Sequence, residues 1–66
     1  MKNWTPKRAA TAARTRIARI DKLVLEIADL YGDVFQPVVT SCDMVRRELD
    51  HIRETVAEAE EAGATL

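Results

Sequence analysis

The chain has one cysteine, two glycines, two prolines and three aromatic residues among its 66 residues. A single thiol excludes an internal disulfide. No Cys/His cluster offers a structural zinc site in its place. Two separated glycines leave no Gly-rich phosphate loop, and a lone histidine leaves no Ser/His/Asp set. Three scattered aromatics build no platform for stacked single-stranded bases. The apolar runs are only a few residues long, so no segment spans a membrane. The chain therefore reads as non-enzymatic, with no cofactor and no metal. One cysteine and no secretory leader point to a reducing, cytoplasmic setting. The first Met reads as the start of a complete small protein.

What the chain does have is helical periodicity. Ala10, Ala13, Ile17, Ile20, Val24, Ile27 and Tyr31 recur at spacings of three and four. Phe35, Val38, Cys42, Val45, Leu49, Ile52, Val56 and Ala59 repeat the pattern beyond Gly32-Asp33. Each series draws an apolar stripe along one helix. The fold class is all-α: an antiparallel two-helix hairpin with coiled-coil-like heptads, within a single domain, 1–66. Thr5 caps helix 1, Pro6 takes its first position and Trp4 staples back onto Ala9. Helix 1 spans about 6–31, the turn 32–36 and helix 2 about 37–62. Gly32 is expected as a left-handed terminator and Gly63 as the stop of helix 2. The first turn of helix 2, between Val34 and Pro37, is expected to be irregular.

A short connection makes the helices antiparallel neighbours. Ile17 then faces Leu49, Val24 faces Cys42 and Ala10 faces Val56. The same alignment sets Asp21 near Arg46, Lys7 near Glu60 and Arg16 near Glu48. It sets Arg14 near Arg53, a mismatch relieved by the adjacent Glu54. Agreement between charges and stripe supports the alignment.

A hairpin of this size cannot close a sufficient core by itself, and without a disulfide or metal it needs a partner. Leu23, Leu25, Leu30, Val39 and Met44 lie off the stripe towards the turn and are the candidate partner-binding residues. A second copy would cover them in a homodimeric four-helix bundle; a host protein target is the other occupant. Both hold if the bundle leaves a residual patch.

The charge is uneven. Residues 1–22 carry seven basic side chains against Asp21, and residues 23–66 carry ten acidic against three basic. Arg8, Arg14, Arg19 and Lys22 are the candidate nucleic-acid contacts, since a basic helix face attracts phosphate. The other reading is that these side chains complement the acidic residues of helix 2. Glu48-Leu49-Asp50-His51 matches the Glu-x-x-His pair of di-iron bundles. Here His51 points away from the seam and inward glutamates from neighbouring helices are missing, so the pair reads as solvated surface. Cys42, on the stripe, reads as a small core residue; a disulfide across a dimer axis is its redox alternative.

Two resemblances follow from these residues. Arg14, Ile17, Ile20, Asp21 and Leu25 resemble the first helix of the all-helical chorismate mutases. The chain lacks that family's further Arg, near the position of Tyr31, its catalytic Lys and its third helix, so no catalytic role carries over. In length, central turn and paired heptads the chain is similar to the plasmid repressor-of-primer proteins. That resemblance implies dimerisation into a four-helix bundle and RNA binding along the faces of helix 1. No residue motif aligns, and fold does not fix function. The favoured expectation is a small regulator or inhibitor acting by protein–protein interaction, of the kind phages and plasmids encode. RNA binding through helix 1 is the alternative.

Overall fold

The computed structural model describes residues 4–64. They form two helices, α1 (Pro6–Tyr31) and α2 (Gln36–Ala64), packed along one another. Thr5 caps α1 from an extended backbone (φ −86°, ψ 157°), and its hydroxyl accepts the Arg8 N–H at 3.1 Å. Its carbonyl accepts the first helical bond, from Ala9, at 2.9 Å. Pro6 sits where its missing N–H would have had no helical acceptor.

The turn corrects one expectation. Gly32 is not left-handed but continues the right-handed helix, with φ −49° and ψ −44°. No described residue has a positive φ. The chain reverses by tightening instead. The Gly32 N–H reaches back three residues to the Asp29 carbonyl at 3.4 Å. Val34 and Phe35 both donate to the Tyr31 carbonyl, at 3.0 and 3.1 Å. The Tyr31 carbonyl, one of those that the end of α1 leaves without a helical donor, thus accepts from two amides of the turn.

Helix α2 starts at Gln36, with Val34 and Phe35 outside it, and it runs further than the expected stop. The helix is regular from Gln36, and Pro37 enters its first turn, where no N–H is required. The Phe35 carbonyl accepts from Val38 at 3.1 Å. At the far end the helix runs through Gly63 to Ala64. Gly63 does not stop it; a methyl group on Gly63 would overlap the ring of Pro6. Its hydrogen side chain lets the end of α2 approach the start of α1.

The helices are antiparallel, since Asp21 meets Arg46 and Arg14 meets Glu60. Residues seven apart share a helix face, and each stripe contains two such rows. Ala10 and Ile17 on α1, with Cys42 and Leu49 on α2, are buried, and Val24 and Val56 in the same rows are half-buried. The second rows remain open: Ile20, Ile27, Val45 and Ile52 are 43–45% exposed. Each stripe therefore closes only by half. The physical reason is that two cylinders touch along a line, whereas rows three residues apart diverge by about 60° around the helix.

Candidate functional site

The half-closed seam gives the hairpin two unlike faces. One follows the open rows and is apolar. At the turn end it forms a groove of about 380 Å³ lined by Val24, Ile27, Phe35, Val38, Cys42 and Val45, with Pro37 and Ser41 at its edge. At the other end a second groove of about 380 Å³ lies among Trp4, Pro6, Ala9, Ala13, Val56 and Ala59. Trp4 and Ala9 border this same groove, while the Arg8 guanidinium lies 5.8 Å from the Trp4 ring centre, within cation–π range. Ile20 and Ile52 continue the apolar rows between the grooves.

The opposite face is charged. Its residues lie four positions after the buried rows, on the far side of the seam. Arg46 Nε donates to Asp21 Oδ1 at 2.9 Å, and Arg14 Nη2 to Glu60 Oε1 at 2.5 Å. Arg53 turns along its own helix to Asp50 at 2.6 Å. The Arg14–Arg53 mismatch is thereby resolved without Glu54: each arginine finds a different carboxylate. Lys7, expected to hold Glu60, contributes only a longer-range attraction to it. Arg16, expected to reach Glu48, donates to the Ala12 carbonyl at 3.0 Å. The hydrogen bond from Arg14, with the charges of Arg14 and Lys7, holds the Glu60 carboxyl below the ordinary glutamate range. The hydrogen bond and charge of Asp21 raise the affinity of Arg46 for its proton. Asp21, Asp43, Arg46, Arg47, Asp50 and Arg53 line a shallow recess of about 310 Å³ on this face.

The five candidate partner-binding residues do not make one patch. Leu23 and Leu30 are exposed and lie three residues beyond Ile20 and Ile27, so they widen the apolar face. Val39 is half-buried and stands seven residues before Arg46, on the charged side. Leu25, one residue past Val24, turns about 100° away towards that side. Met44 is exposed in the row of His51 and Glu58, on the outer surface of α2.

The basic candidates also divide. Arg14 is committed to Glu60. Arg8 and Lys22 share an outer row of α1, and Arg19 stands exposed in the next row. Asp29 follows Lys22 by seven residues and Glu26 follows Arg19 by seven, so the basic character is confined to the first part of the helix. Glu48 and His51 are both exposed. Among the described residues, no three His, Cys, Asp or Glu side chains come together in a way that could hold a metal. Cys42 is buried in the hairpin seam.

Sequence reasoning picked out every residue of the open rows but placed them in a closed seam. The missed signal was that the pairing charges follow only one of the two seven-residue rows in each stripe.

The fold defines an elongated helical hairpin with one apolar and one charged face. Comparison with protein-family models, curated proteins and solved structures finds no match to this chain. No described helix is long and apolar enough to cross a membrane.

Proposed function

We propose that the chain is a small non-enzymatic regulator or inhibitor that acts by protein–protein interaction as a homodimeric four-helix bundle. One observation carries this reading: the continuous apolar face through Ile20, Ile27, Val45 and Ile52, with the ion pairs confined to the opposite side. Below about 70–80 residues a single core rarely supplies more than about 3–5 kcal/mol. Here the core is Ala10, Ile17, Cys42 and Leu49, two of them small. A second hairpin over the open rows completes a bundle interior of the ordinary kind. The outline of 50 × 20 Å gives a footprint on the order of 1000 Å², and stable complexes bury roughly 800 Å² per partner. Leu25 and Met44 stay outside such a bundle and are available to a target protein.

Sedimentation equilibrium of the full chain tests the foundation of this reading. A two-chain mass supports it. A one-chain mass at concentrations far above the micromolar range removes it.

A second reading rests on Arg8, Arg19 and Lys22, which lie on the outer surface of α1 and stay open in such a dimer. RNA binding there would weaken steeply with salt, whereas apolar docking would change little. Titration of a fluorescent RNA hairpin at two salt concentrations separates the two.

A further inference from the structure

We infer that the second copy lies with its α2 over α1 and its α1 over α2, both turns at the same end of the bundle. This rests on the dimer proposed above and assigns its arrangement. Two rotations can bring the apolar faces together. Rotation about an axis along the helices stacks unlike helices and keeps every residue at its own level. Rotation about an axis across the helices stacks like on like and exchanges the ends.

Charge separates the two. Helix α1 carries six basic and three acidic side chains, a net +3, and α2 carries three basic and seven acidic, a net −4. Stacking unlike helices sets the basic first part of α1 against the acidic second part of α2. Stacking like helices sets +3 against +3 and −4 against −4. Like charges across an interface are penalised and complementary charges fix its alignment.

The edges of the open face agree. Arg16 precedes Ile17 and Glu48 precedes Leu49; both apolar residues are buried in the seam, within about one residue of a common level by the register of the Asp21–Arg46 pair. Because the helices run in opposite directions, Arg16 and Glu48 stand on opposite edges of the open face two to three residues apart in level, roughly 3–4.5 Å, within the reach of an arginine side chain. Neither enters an ion pair among the described residues. The rotation that keeps levels exchanges edges. It brings Arg16 of each copy against Glu48 of the other, twice per dimer. The alternative stacks α1 on α1, whose edge row of Arg16, Leu23 and Leu30 holds no carboxylate for Arg16 to meet.

The test uses Arg16→Glu and Glu48→Arg in the full chain, each measured alone and as an equimolar mixture by sedimentation equilibrium. Each single variant sets like charges together at both edges, and its dissociation constant should rise about tenfold or more. In the mixture the unlike copies carry opposite charges at both edges, so the two-chain mass should return. Circular dichroism of the mixture checks that helicity returns with it. If the variants dimerise as the wild type does, or mixing restores nothing, the arrangement is wrong although the dimer stands. A wild-type chain that is monomeric removes the dimer itself.

Discussion

Gly63 lies against the ring of Pro6 with no room for a side chain between them. This contact joins the last turn of α2 to the first turn of α1. It explains a glycine inside a helix, where alanine is intrinsically preferred by about 1 kcal/mol. Gly63→Ala should therefore destabilise the fold by about 1–3 kcal/mol, against the propensity, because the Pro6 ring cannot bend aside. Urea unfolding followed by circular dichroism reads the sign directly.

Gly32→Ala should do the opposite. Gly32 has a right-handed backbone, and an added Cβ would meet only the Asp29 and Ala28 carbonyl oxygens, at 3.7 and 3.8 Å. These are ordinary contacts. The substitution should stabilise by about 0.4–1 kcal/mol, chiefly by restricting the unfolded chain. A loss of stability in the same urea titration would show that the turn needs a left-handed residue after all.

Leu49→Asp and Leu25→Glu should separate core from surface. Leu49 is 4% exposed at the middle of the seam. A carboxylate there is unpaired and desolvated, and the cost, above about 4 kcal/mol, should abolish most helicity at 25 °C. Leu25→Glu should stay within about 0.5 kcal/mol of wild type, as an exposed substitution does. Equal damage from both would mean that Leu25 is part of the core.

Ile20→Asp should act on association. Its side chain is 44% exposed in the hairpin and lies in the open row. In a four-helix bundle the new carboxylate is buried, and the dissociation constant should rise on the order of 100-fold or more. An unchanged two-chain mass would place the dimer contact on another face.

Acid should loosen the terminal end through Glu60. Its folded pKa lies below the ordinary glutamate value because of the Arg14 hydrogen bond. The contribution is therefore full above the ordinary glutamate range and is lost as pH falls through the depressed value. Glu60→Gln should lower stability at neutral pH, match the wild type once Glu60 is protonated, and so flatten the acid limb of a stability–pH profile. An identical acid limb in the variant would deny the pair any role in stability.

The hairpin itself was legible because each of its signals is local and several coincide. Thr5-Pro6 marks one start, and the two apolar series match in length. Asp21 and Arg46 meet as the alignment required. What was not legible depends on distance between elements. The tight turn at Gly32 follows from the Tyr31 carbonyl serving two amides, a matter of geometry that glycine does not announce. The purpose of Gly63 becomes visible only when Pro6 arrives from the other end of the chain. The split between buried Ile17 and exposed Ile20 was hidden because both are isoleucines of one stripe, and only the number of neighbouring helices decides which is wet. Leu25 and Met44 show the same limit: sequence placed them off the stripe but could not say on which side.

The seven-residue spacing of the open rows has a consequence for what can lie on them. A straight helix drifts about 20° per heptad against that repeat, so rows kept at seven residues wind to the left. In a dimer wound as a coiled coil of pitch about 150 Å, the apolar ribbon would turn through roughly a third of a revolution over the 50 Å hairpin. A flat or rigid surface meets such a ribbon at one point and lifts away on both sides. Only a partner that coils with the same hand can follow it from end to end, and that excludes most chance encounters by shape alone.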